Sequence, residues 1–141
     1  MTTLVVGATG ATGRLLVEQL LNKGENVRII VRSVKSLPDS FIQNNQVRIT
    51  QASLLDMSQD ELLAQVQGCR AVASCLGHNL TLTGMFGQPR RLVCSGVQRL
   101  CAAIEETMPE VPVKFILMNT TGNRNTQAGE KVSVSQSVVV G

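Results

Sequence analysis

The sequence predicts a doubly wound α/β sheet: parallel strands in one layer, with helices packed on both faces in a three-layer αβα arrangement. Two observations predict it. Short apolar runs alternate with amphipathic runs from residue 3 to residue 118, and strands that alternate with helices pair in parallel through right-handed crossovers. A glycine-rich stretch, Gly7 to Gly13 (GATGATG), also lies between the first apolar run and the first amphipathic one.

The elements follow in order. Thr3 to Val6 is a short apolar strand. From Arg14 to Lys23, Leu16 and Val17 share a helical face with Leu20 and Leu21, and Gly24 suits a left-handed helix end. Val27 to Val31 (VRIIV) reads as a second, doubly covered strand, and Val47 to Thr50 as a third. Ser58 with Glu61 forms a capping box for a helix through Leu62, Leu63 and Val66 that Gly68 closes. Ala71 to Leu76 is a fourth strand, rich in small residues. Pro89 suits a helix start, with Val93, Val97, Leu100, Cys101 and Ile104 forming one apolar stripe. Val113 to Met118 (VKFILM) is the fifth strand.

Composition narrows the class. The 141 residues, 43% of them apolar, suffice for one domain over 1–141 with a core of its own. A net charge of +3 and only three Phe argue against a nucleic-acid partner. No apolar run approaches the roughly 20 residues that span a bilayer, and the chain opens on a strand and a glycine loop where a leader would carry a basic stretch. The expectation is a cytoplasmic protein with no membrane contact. The four cysteines, at 69, 75, 94 and 101, lack the paired spacing of a zinc site, so no metal is expected and the thiols read as reduced. After the polar stretch Asn119 to Glu130, the tail KVSVSQSVVVG closes on Val138, Val139 and Val140. This ending suggests the N-terminal part of a longer domain, or a shortened variant, incomplete at the C-terminus and lacking its last strands and much of a substrate pocket.

Between a strand and a helix, Gly7, Gly10 and Gly13 permit a tight turn and close approach of backbone to a ligand. The following helix N-terminus offers unpaired N–H groups to a pyrophosphate. Thr9 and Thr12 add hydroxyls to the same loop. Directly after the second strand stands Arg32, 19 positions after Gly13, followed by Ser33 and then Lys35. A carboxylate there accepts from the ribose 2′-OH of NAD, whereas Arg suits the 2′-phosphate of NADP through paired N–H bonds. The expected cofactor is NADP(H).

GATGATG, VRIIVRS, ASLLD, ASCLGHN and MNTT, in that order, resemble the atypical short-chain dehydrogenase/reductase superfamily, whose fold is Rossmann-like. Within it the chain most resembles the NAD(P)H-binding group that contains flavin reductase (biliverdin-IXβ reductase) and the NmrA-like proteins. The resemblance covers residues 3–121. It implies pyrophosphate binding by Gly7, Thr9, Gly10, Ala11, Thr12 and Gly13, and 2′-phosphate binding by Arg32 and Ser33 with Lys35 nearby. Ser53, followed by Leu54, stands where the family usually has an Asp for the adenine amino group. A hydroxyl also accepts that bond, as a shorter and neutral group. Leu76 and Gly77 match the stretch beside the ribose and nicotinamide.

Typical members use a Ser, a Tyr and a Lys, with the Tyr as proton donor. This chain has no Tyr, which excludes that mechanism. Thr120 stands at the position of the Ser, with Thr121 after it; its hydroxyl either orients an acceptor or satisfies nearby backbone. His78 is the one side chain with an ordinary pKa near neutrality, and so a candidate proton donor. Cys75 reads as buried and inert. Met85 and Phe86, between Gly84 and Gly87, read equally as an apolar lid or a surface loop. Two functions are expected: an NADPH-dependent reductase of a small planar acceptor (a flavin, quinone or related carbonyl), or a non-catalytic NADP(H)-sensing module that acts through a protein partner.

Overall fold

The computed structural model describes residues 1–76 and 89–118. Five strands form one sheet: β1 (Thr2–Val6), β2 (Asn26–Val31), β3 (Val47–Gln51), β4 (Ala71–Ser74) and β5 (Lys114–Leu117). Their order is β3-β2-β1-β4-β5, and all four pairings are parallel. The helices are α1 (Ala11–Asn22), α2 (Asp39–Ile42), α3 (Gln59–Val66) and α4 (Pro89–Thr107). This is the doubly wound, Rossmann-like α/β fold that the alternating pattern predicts.

Parallel strands covered on both faces need apolar residues at every position. In the central strand β1, Leu4, Val5 and Val6 are all buried. Successive side chains point to opposite faces, so each strand feeds two cores. On one face Leu4, Val6, Ile30 and Val72 meet Leu62 and Val66 of α3 and Leu100 and Ala103 of α4. On the other, Val5, Val27, Ile29 and Ala73 meet Val17 of α1 and Phe41 of α2. Each Val, Leu, Ile or Phe among them contributes about 1.5–3 kcal/mol when fully buried.

Several boundaries differ from the sequence expectation. α1 begins at Ala11, within the glycine loop, because Gly10 already serves as its N-cap. β4 stops at Ser74, two residues early, where the Gly7 backbone crosses the strand end. A 3-10 turn (Val34–Ser36) and the four-residue α2, both absent from the expectation, connect β2 to β3. β5 covers Lys114–Leu117, shorter than the expected Val113 to Met118, and its Ile116 and Leu117 are 52% and 49% exposed. Among the described strands β5 lies at the sheet edge, paired to β4 alone. The capping box forms as the sequence implies: Glu61 N–H donates to Ser58 Oγ at 3.1 Å, and Ser58 N–H to the Glu61 carboxylate at 2.7 Å. Gly24 and Gly68 take the left-handed conformation after their helices. No described helix is long and apolar enough to cross a membrane.

Candidate functional site

β1 and β4 are neighbours whose crossovers leave in opposite directions, β1 to β2 and β4 to β5, and so open a crevice at the C-terminal ends of the two strands. The glycine loop fills the end of β1. Its three glycines answer to different constraints. Gly7, at φ 80°, runs against the end of β4, where a Cβ would lie 2.6 Å from the Cys75 carbonyl carbon and oxygen. Gly13 packs on Gly7 so closely that a Cβ would stand 2.1 Å from the Gly7 oxygen. Both are required by the fold itself.

Gly10 is not. Its backbone is extended (φ −76°, ψ 165°), and a Cβ there would meet nothing closer than the Gly7 oxygen at 3.5 Å. Any residue would fit, yet the position is exposed and holds glycine. The fold itself therefore does not require glycine at this position. Gly10 N–H closes the turn onto the Gly7 carbonyl at 3.2 Å, and no side chain caps α1. The N–H groups of Ala11, Thr12 and Gly13 precede the first intrahelical bond, from Arg14 N–H to the Gly10 carbonyl. No acidic residue occupies the first turn of α1, and Thr9, Gly10, Ala11 and Thr12 are exposed. Among the described residues the donors and the dipole therefore face outward, unopposed, and fit a pyrophosphate.

At the end of β2, Arg32 and Lys35 are exposed and Ser33 is half-buried. Ser33 starts the 3-10 turn without using its hydroxyl as a cap. Arg14 reaches this turn from α1, its Nη2 donating to the Ser36 carbonyl at 3.4 Å. Arg14 has no part in the sequence expectation; the available signal was a cation directly after the third glycine. Arg14, Arg32 and Lys35 leave this flank rich in positive charge.

Beyond β3, Ser53 is half-buried and its carbonyl accepts from the N–H groups of Asp56 and Met57, making a tight turn. The Leu54 side chain turns inward, 7% exposed, and joins the core with Met57. Ser53 is half-buried at this loop, while Leu55 and Asp56 are exposed. Leu76 is half-buried after β4. Cys75 beside it is buried, and burial pushes its thiol above the ordinary range. Gly77, His78, Met85, Phe86 and Thr120 lie outside the described residues, as does the tail from Asn119. Among the described residues no three His, Cys, Asp or Glu side chains gather as a metal site would require.

Among curated proteins, none matches the sequence. Solved structures do share the fold. The oxidoreductase ylbE from Lactococcus lactis is 23% identical at a TM-score of 0.70, over 99% of this chain and 57% of that one. Uronate dehydrogenase from Agrobacterium tumefaciens, solved with NAD, is 22% identical at 0.63, over 84% of this chain and 40% of its own. A short-chain dehydrogenase/reductase superfamily protein from the same organism, also with bound NAD, is 22% identical at 0.63, over 86% and 33%. The chain thus spans between a third and just over half the length of these structures. The profile of a family described as NAD(P)H-binding matches residues 7–138. With that match spanning nearly all of the sequence, and with the outward-facing glycine loop on a Rossmann-like sheet, the chain belongs to the NAD(P)H-binding family.

Proposed function

We propose that the protein binds NADPH in preference to NADH and supports hydride transfer to a small planar acceptor such as a flavin, quinone or related carbonyl compound. The observation that carries this reading is Gly10, a glycine the fold does not need, set among helix N–H groups without a partner among the described residues, beside the cationic end of β2. Bound NADPH would supply the hydride. The backbone N–H groups of residues 11–13 hold the pyrophosphate, with the Thr9 and Thr12 hydroxyls beside them. Arg32, Ser33 and Lys35 hold the 2′-phosphate; an Arg grips such a group through two parallel N–H bonds. Ser53 accepts from the adenine amino group. Leu76 and Gly77 flank the ribose and nicotinamide, and Thr120 and His78 are the candidates to orient and protonate the acceptor. Without a Tyr, the chain's contribution is positioning, with solvent as an alternative proton source.

The absence of Tyr also favours a second reading: an NADP(H)-sensing module that binds the cofactor and signals to a protein partner without turnover. Calorimetric titration with NADPH and NADH at equal salt tests the shared premise. Clear preference for NADPH is expected, and binding of neither would overturn both readings. Arg32→Glu is expected to abolish the preference; unchanged NADPH affinity in that variant would remove the 2′-phosphate assignment. Oxidation of NADPH with a panel of flavins and quinones then separates the reductase from the sensor.

A further inference from the structure

We infer that Arg99, on α4, is a positioning residue that holds the adenine-side turn of the cofactor site; the inference rests on the cofactor reading above. The turn at Ser53–Met57 has no regular structure. Its own bonds, from Asp56 and Met57 N–H to the Ser53 carbonyl at 3.0 and 3.1 Å, curl the backbone but do not attach it to anything. Attachment comes from α4. Arg99 Nη1 donates to the Leu54 carbonyl at 2.6 Å, and Nη2 donates to the Met57 carbonyl. Neither carbonyl accepts from a backbone N–H among the described residues. Two donors on one rigid, planar group fix the orientation of the turn as well as its distance from the helix.

The opposite side of the turn is fixed by packing. Leu54 and Met57 are buried, and Gly96, one helical turn before Arg99, lets Leu54 lie against α4. A Cβ at Gly96 would stand 2.8 Å from Leu54 Cδ2 and 3.2 Å from Leu76 Cδ1. Leu76 follows β4, on the nicotinamide side of the crevice. One stretch of α4 thereby supports both flanks of the site, through Arg99 on one and Gly96 on both. Ser53, the residue presented to adenine, immediately precedes the carbonyl-clamped segment. Pre-ordering it removes a cost that binding would otherwise meet.

A plain stabilising role must be separated from this one, and Arg28 provides the control. Its Nη1 donates to the Gln65 and Gln67 carbonyls, both at 2.7 Å, at the end of α3 and away from the turn. The experiment measures NADPH and adenosine 2′,5′-bisphosphate affinity, together with urea midpoints, for wild type, Arg99→Met, Arg99→Lys and Arg28→Met. Arg99→Met is expected to weaken both ligands by the same factor, about tenfold, because the loss lies at the adenine end they share. Arg99→Lys, with one donor point in place of a fork, recovers part of it. Arg28→Met is expected to lower the urea midpoint while leaving both affinities at wild-type values.

A folded Arg99→Met that keeps wild-type affinity for the bisphosphate overturns the assignment. So does equal weakening by Arg28→Met at matched loss of stability. Should Arg99→Met not fold, Arg99→Lys, which keeps the charge but not the fork, carries the test: weaker bisphosphate binding is expected, and unchanged binding overturns the assignment. Wild-type protein that binds neither ligand overturns the cofactor reading, and this inference with it. Wild-type binding with an unaffected Arg99→Met removes the positioning role alone.

Discussion

Gly7, Gly10 and Gly13 look alike in the sequence and differ in the fold. A methyl group at residue 13 would overlap the Gly7 carbonyl, with backbone on both sides and no flexible side chain to yield. Gly13→Ala is therefore expected to cost about 3 kcal/mol or more in urea denaturation, the range of severe overpacking. Gly10→Ala faces ordinary contacts and a poorer N-cap, and should stay within about 1 kcal/mol of wild type. Its NADPH affinity should nonetheless fall roughly tenfold or more, since the added methyl lifts the pyrophosphate off the helix N–H groups. Loss of stability without loss of affinity at residue 10 would show that its glycine is structural after all. Arg14 and Arg99 make a complementary case. Neither stands out along the chain, because a surface-type cation carries no periodic signal; only proximity in the fold sets one against the Ser36 carbonyl and the other against two carbonyls of the adenine-side turn.

At the scale of elements, legibility follows the range of the interactions involved. The start of α3 is readable because its capping box is a contact between residues three apart. Ser58→Ala should destabilise the protein by about 1 kcal/mol. The same substitution at Ser74 should act in the opposite direction. That hydroxyl is fully buried in β4 with no hydrogen-bond partner among the described residues, and an unsatisfied buried polar group costs about 1–3 kcal/mol. Ser74→Ala is thus expected to leave stability unchanged or raise it, and a clear drop in its thermal midpoint would reveal an unrecognised partner. The 3-10 turn and α2 are too short for periodicity to register. The close packing just beyond the end of β4 is invisible for another reason: the backbone against Cys75 and Leu76 is that of Gly7, nearly 70 residues earlier in the chain.

At the scale of the molecule, the buried thiols tie folding to pH. Burial pushes Cys69 and Cys75 above the ordinary thiol range, with Arg28 opposing it in part at Cys69. The folded protein therefore holds these protons more tightly than the unfolded chain does. The resulting stability is full below the unfolded thiol pKa of about 8.5 and falls as pH rises towards the folded values. The urea midpoint should drop between neutral pH and strongly alkaline pH, and Cys75→Ala should flatten part of that drop. In native protein at neutral pH a thiol reagent should modify the exposed Cys94 well before Cys75. Equal labelling rates would contradict the burial of Cys75.

By itself the sequence determined the alternation of strands and helices, the glycine turn between β1 and α1, and the cationic end of β2. These are local: apolar periodicity, left-handed positions and residue type all operate within a few neighbours. Tertiary structure decided the strand order that puts β1 between β2 and β4, and so the crevice at its end. It also separated the two glycines the fold requires from the one it does not, turned Leu54 inward, and brought α4 against the adenine-side turn. Each of these depends on which distant backbones come within a few ångströms of one another. Sequence spacing does not encode such distances, because a crossover of given length can return its strand to either side of the sheet.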